Sequence, residues 1–180
     1  MCGIVGYIGY ENIALIEDKL EFENHENSET PDSILGVFNT IIAFDHFKHQ
    51  LLIISNAHLN RNSDLDSEYE LAKQRIDKVK AEMKNPTNHK SDFSFEHIDS
   101  KDFDSSHFFD VIEKAKQNIY NGDVFQLVLS KRFTADYKGD LLNLYRALRI
   151  INPSPYMYFM ELPEDITVIG TSPEDLVKVQ

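Results

Sequence analysis

The stretch Gly122-Asp123-Val124-Phe125-Gln126-Leu127-Val128-Leu129-Ser130-Lys131-Arg132-Phe133 decides the reading of the chain. Directly before it, Phe108, Val111, Ile112, Ala115 and Ile119 recur at helical spacing. Ser105 or Ser106 can cap that helix, and Asn121-Gly122 supplies its stop. The quoted run then reads as a strand over 123–133. Phe125, Leu127, Leu129 and Phe133 fall on one face, and Val124, Gln126, Val128, Ser130 and Arg132 on the other. Polar groups on an otherwise buried-looking strand have two explanations. One is a face turned to solvent; the other is the wall of a polar cavity.

Composition narrows the partners. Of 180 residues, 42% are hydrophobic and 27% charged, so the chain has the apolar material for a packed core. The net charge of -12 argues against nucleic acid or an anionic membrane surface, which need basic patches. A small anionic substrate stays open, because a local pocket can oppose the global charge. Cys2 is the single cysteine, which excludes an intramolecular disulfide and a cysteine zinc cluster. With no long apolar run and no basic leader, a cytoplasmic setting is expected.

Upstream, the glycines of Gly3-Ile4-Val5-Gly6-Tyr7-Ile8-Gly9-Tyr10 predict a strand with close backbone packing. A short helix and loop are expected over 13–30. Strands follow over 36–44 and 50–57, joined by a turn at Asp45–His49, and their near-continuous apolar runs predict burial on both faces. His46 and His49 at the hairpin tip read as exposed turn residues, since no third metal ligand is near in sequence. Ser67 and Glu70 form a capping-box pattern ahead of the stripe Ala72, Ile76, Val79 and Met83. A polar connector over 85–101, with a short strand at Phe93–Phe95, divides a first part (1–84) from a second (102–180).

In the second part Asp140 can cap a helix with the stripe Leu141, Leu144, Tyr145, Leu148 and Ile151, stopped at Asn152-Pro153-Ser154-Pro155. Strands are predicted over 156–162 and 166–170, about a turn at Pro163-Glu164-Asp165, with a further strand beginning at Leu176. The expected fold is α+β, with largely antiparallel sheets layered against outer helices.

Two resemblances compete. Met1-Cys2-Gly3-Ile4-Val5-Gly6 resembles the start of class II glutamine amidotransferases, in which Cys2 would be the nucleophile and its own amine the base. That family also shows Arg-Gly-Tyr-Asp-Ser and Gly-His-Thr-Arg-Trp segments, and neither occurs here. The second resemblance covers nearly the whole chain. The run 122–133, the run Leu144 to Met157 with Asn152-Pro153-Ser154-Pro155-Tyr156-Met157, and Ile169-Gly170-Thr171-Ser172-Pro173-Glu174 resemble, in this order, anthranilate synthase component I. Gly3–Tyr10 and Asn39–His46 look like two further segments of that chorismate-utilising family.

The resemblance implies a reaction in which chorismate loses its 4-hydroxyl, ammonia adds at C2, and pyruvate leaves to give anthranilate. Loss of hydroxide needs a general acid, and the family's glutamate for that role corresponds to Glu174. Gln126 stands where water-adding relatives carry a lysine base. A neutral glutamine suits ammonia, which is already a nucleophile, and the mixed strand face becomes a pocket wall. Pro155, Tyr156 and Met157 match the segment that lines the family's tryptophan feedback site. Aminodeoxychorismate synthase component I is the nearest alternative. The resemblance further implies Mg2+, a glutamine amidotransferase subunit (component II) as partner, and L-tryptophan as inhibitor. The family's other tryptophan-binding serine is expected before residue 1. Its catalytic histidine, magnesium-binding glutamates and chorismate-binding arginine are expected beyond Gln180, so this chain is expected to be inactive alone.

Overall fold

Strand-forming residues between turn signals, and three apolar stripes at helical period, produce four antiparallel ribbons and three α-helices among the described residues. The computed structural model describes residues 3–17, 19, 30–85, 92–99, 105–175 and 177–178. The chain divides into two compact units, Met1–His89 with Pro153–Gln180, and Lys90–Asn152. The last 28 residues therefore pack with the first part of the chain, whereas a linear division at 85–101 groups them with the second.

In the first unit β1 (Gly3–Ile8) pairs antiparallel with β2 (Ser33–Phe38), and Gly6 lies opposite Leu35. Glycine is required at this point. A Cβ on Gly6 would stand 1.8 Å from the Ile34 carbonyl oxygen. A 3-10 helix, Tyr10–Leu15, is what stands in place of the short helix expected from residue 13.

The strand expected over 36–44 is in fact two. It breaks at Asn39, so that β2 stays with β1 while β3 (Thr40–Asp45) pairs with β4 (Gln50–Ser55). The Asn39 carbonyl accepts from the Asn56 N–H at 2.8 Å, and its side-chain oxygen meets the His58 ring. The chain changes partner there. The β3–β4 turn is the expected one: Asp45 Oδ1 accepts from the N–H groups of Phe47 and Lys48, and His49 is left-handed at φ 53°.

Helix α1 (Leu65–Lys84) packs on β4. Its cap is Asp64, which accepts from the Asp66 N–H; Ser67 and Glu70 lie inside the helix rather than at its start. The earlier start costs nothing in pattern, since Ala72, Ile76 and Val79 still face inward. Arg75 fastens helix to strand, donating from Nε to Ser55 Oγ at 3.0 Å and from Nη2 to the Asn56 carbonyl at 2.8 Å. The hairpin of β7 (Tyr156–Glu161) and β8 (Thr167–Ser172) completes the unit. Its turn holds Glu164 and Asp165 at φ 63° and 56°, as a type I′ hairpin requires.

In the second unit β5 (Phe93–Asp99) pairs with β6 (Thr134–Gly139). The expected strand over 123–133 is not formed. Residues 124–133 carry no regular structure, and the strand begins one residue later. The reason is pairing: a strand persists where its backbone finds a ladder, and β5 takes residues 134–139. Phe93, Phe95 and Tyr137 gather on that ladder, with ring centroids 6.1–6.4 Å apart. The predicted facial alternation over 123–133 therefore does not operate, and Phe125 is almost fully exposed at 95%.

Helix α2 (Ser105–Asn121) buries the expected stripe partway: Phe108, Val111, Ile112 and Ala115 are half-buried. The residue before its first turn lies outside the described residues. Its end is a Schellman motif, with Gly122 N–H to the Ile119 carbonyl, Asp123 N–H to the Asn118 carbonyl, and Gly122 at φ 82°. Helix α3 (Leu141–Ile151) is capped by Asp140, whose Oδ1 accepts from Leu142 N–H at 2.8 Å. Ile151, counted in its stripe, is 81% exposed. The strand expected from Leu176 falls partly outside the described residues; Val177 and Lys178 are not in a strand.

The core is thin. Among the described residues only Ala72 is buried, while Ile42, Phe44, Leu51 and Leu52 remain exposed, against the expected burial of β3 and β4 on both faces. Separate two-stranded ribbons have one face more than a single helix can cover.

Candidate functional site

The open end of the β7–β8 hairpin gathers most of the candidate residues. Pro155 directly precedes β7, and Tyr156 and Met157 are its first two residues. In the ladder Tyr156 lies opposite Ser172, and Met157 opposite Thr171. Met157 is half-buried; Pro155 and Tyr156 are exposed. Two residues after β8 comes Glu174, with an exposed side chain.

The backbone of Glu174 is held by Ser172. The Glu174 N–H donates to Ser172 Oγ at 3.4 Å, and the hydroxyl donates to the Glu174 carbonyl at 3.3 Å. Pro173 between them fixes one further torsion. The neighbouring Asp175 side chain holds the Tyr156 phenol above its ordinary value of 10.0, with a smaller contribution from desolvation. Farther along the hairpin the Tyr158 ring lies across Gly170, its cross-strand partner. Ser172 and Asp175 were not singled out from sequence. A serine two residues before the glutamate is a turn signal of its own; nothing local marks Asp175.

Gln126 belongs to the second unit and is exposed in the irregular run 124–133. A cavity of about 410 Å3 opens in the first unit among Gly3, Val5, Phe38, Thr40, Ile41, the end of β7 from Phe159 to Glu161, and Leu162 just beyond it. Its lining is mostly apolar, and it includes none of the candidate residues. Cys2 lies outside the described residues.

With the hairpin's geometry in view, comparison with known proteins decides the family. Residues 2–180 match the family described as chorismate binding enzyme. The chain belongs to the chorismate binding enzymes. It is 37% identical over 191 residues to anthranilate synthase component 1 of Bacillus subtilis, covering 99% of this chain and 36% of that protein. It is 35% identical to anthranilate synthase component 1 of Lactococcus lactis, covering 98% and 38% respectively. The crystal structure of anthranilate synthase component I from Streptococcus pneumoniae superposes with a TM-score of 0.74 at 32% identity, over 99% of this chain and 40% of that one. The chain thus spans little more than a third of the length of the curated relatives it matches. The resemblance read from residues 122–133, 144–157 and 169–174 is the one these matches bear out, and the amidotransferase-like start is not.

Among the described residues no group of three or more His, Cys, Asp and Glu side chains could hold a metal ion, so the described residues by themselves do not form a magnesium site. Among the same residues no helix is long and apolar enough to cross a membrane.

Proposed function

We propose that this chain is the central part of an anthranilate synthase component I, acting on chorismate with ammonia to give anthranilate and pyruvate. The observation that carries the reading is the match to anthranilate synthase component 1 along 99% of the chain. Glu174 is the general acid. Its carboxyl protonates the departing 4-hydroxyl, which leaves as water, while ammonia adds at C2. Proton loss and departure of pyruvate then restore aromaticity. Gln126, being neutral, orients a nucleophile without taking a proton from it, which suits ammonia over water. Pro155, Tyr156 and Met157 line the site for L-tryptophan, where occupancy would shift the enzyme between states. Component II, a glutamine amidotransferase subunit, delivers the ammonia, and the setting is cytoplasmic. Magnesium is held by residues of the whole enzyme that this chain does not supply, and no step above is routed through it.

The chain alone is expected to be inactive. The test replaces the matching segment of the Bacillus subtilis protein with this chain and follows anthranilate fluorescence with chorismate and ammonium. The hybrid is expected to be active, Glu174→Gln to lose about 100- to 10,000-fold in kcat, the span of general acid catalysis, and the isolated chain to show no turnover. A folded hybrid in which Glu174→Gln leaves kcat unchanged refutes the role of Glu174. Turnover by the isolated chain refutes its dependence on the remainder.

A further inference from the structure

We propose that residues 126–133 are the unpaired half of one long strand that continues into β6, and that they take up a β-strand from a segment outside this chain. The reading of the chain as the central part of a longer enzyme supplies the identity of that partner. The unpaired strand itself stands on the geometry of the second unit.

The alternation does not stop where the ladder does. Leu127, Leu129, Phe133, Ala135 and Tyr137 share one parity, with Lys131 the one charged residue among them. The other parity is polar from Gln126 to Lys138 except for Val128. Between Gln126 and Lys138 there is no glycine or proline, and no residue there has a positive φ. The chain bends upstream, at Phe125. In β6 the apolar parity is already in use, since the Tyr137 ring stacks 6.1 Å from the Phe93 ring of β5. The apolar side of 127–133 is the continuation of that face.

What ends is the partner. The described ladder closes at Asp99, opposite Thr134. From Gln126 to Ser130 no residue makes a backbone hydrogen bond to a described residue, and Leu127, Val128 and Phe133 are exposed. Open backbone donors and acceptors with alternating side chains are what strand addition uses: the backbone holds the added strand and the side chains select it. Two facts choose the occupant. The chain spans 36% of the Bacillus subtilis relative and 40% of the Streptococcus pneumoniae chain, so most of such an enzyme lies outside it. A second copy matches badly. Antiparallel pairing across all of 126–133 would set Leu127 opposite Arg132 and Phe133 opposite Gln126, mixing an apolar with a polar face. Pairing with a strand of the longer enzyme would set Gln126, Ser130 and Arg132 on one side, an order the isolated run does not impose.

Amide hydrogen exchange, read by mass spectrometry with fragmentation to single residues, compares the dilute 180-residue chain with the Bacillus subtilis hybrid. In the isolated chain the amides of 126–132 are expected to exchange as in an unstructured peptide, while those of β6 are protected. In the hybrid at least every second amide of 126–132 is expected to gain about 100-fold or more in protection. Val128→Pro and Leu129→Pro remove N–H groups that point to opposite edges. Neither should alter β6 in the isolated chain, and at least one should abolish the gain in the hybrid. Where the hybrid does not fold, the two flanking parts of the Bacillus subtilis protein, co-expressed with the chain, take its place. Strand-level protection of 126–132 in the dilute isolated chain overturns the proposal. So does a folded hybrid without the gain, or a gain that survives both proline variants. Protection that appears in the isolated chain and rises with its concentration identifies a second copy as the occupant and overturns the choice of partner. If the hybrid makes anthranilate while 126–132 stay unprotected, the strand falls and the functional reading stands. If they become protected in a hybrid that makes none, the strand stands and the functional reading falls.

Discussion

Substituting alanine at Gly6 is a sharp test of how β1 and β2 are held. A Cβ there would lie 1.8 Å from the Ile34 carbonyl oxygen, 2.8 Å from the Ile34 carbonyl carbon and 3.0 Å from Leu35 Cα. Carbon–oxygen contacts between strands ordinarily settle near 3.3–3.6 Å, so the ribbon would have to open by roughly 1.5 Å at that pair. The atoms in the way are backbone, and no rotamer change moves them. Overpacking of this kind costs about 1–3 kcal/mol, in line with losing two ladder hydrogen bonds at about 1 kcal/mol each. The lower unfolded-state entropy of alanine returns about 0.4–1 kcal/mol. The net is a loss of about 1–2 kcal/mol, or about 5- to 30-fold in the local opening constant. Gly3→Ala on the same strand is the matched reference. Its Cβ would meet only Ile41 Cδ1 and Val5 Cγ2, both at 3.8 Å, so it should be neutral or slightly stabilising. Amide hydrogen exchange of β1 and β2 measures both. Exchange in Gly6→Ala no faster than in Gly3→Ala would refute the close approach of the two strands.

Other positions offer independent checks. Arg75→Met removes the two hydrogen bonds joining α1 to the end of β4 and should destabilise that contact by about 1.5–3 kcal/mol in urea unfolding. Arg75→Lys should recover less than half of this, because an ammonium lacks the planar fork. Asp140→Ala removes the α3 cap and should cost about 1 kcal/mol, seen as earlier loss of helical circular dichroism on heating. Gly122→Ala meets no atom within 4 Å but places a side chain at φ 82°, so a cost of about 1–2 kcal/mol would come from backbone conformation alone. For Tyr156, the raised phenol value places its stabilising contribution below pH 10.0. That contribution should vanish as pH rises through the raised value, and unfolding of Tyr156→Phe should lack this alkaline component.

Local chemistry was enough to determine much of this chain. The stripe of α2 and the glycine stop at Gly122, the Asp140 cap of α3, the Asp45–His49 turn and the β7–β8 hairpin are each dictated by residues within a few positions of one another. The ordered segments at 122–133, 144–157 and 169–174 were enough for the family as well. Pairing between distant residues decided the rest. Residues 36–44 are apolar enough for one strand, yet Asn39 bonds to Asn56 and the run serves two ribbons. Residues 123–133 alternate like a strand, yet β5 selects 134–139, whose Tyr137 joins the phenylalanine rings of β5. The Asp64 cap displaced an equally plausible Ser67, a choice between local signals that α1 makes by extending one turn earlier. The influence of Asp175 on the Tyr156 phenol had no sequence signal, because nineteen residues separate groups that the hairpin brings near each other. Periodicity and capping depend on neighbours in the chain and can be read there. Which backbone a strand finds, and which carboxylate lies near a phenol, depend on where the hairpins fold back.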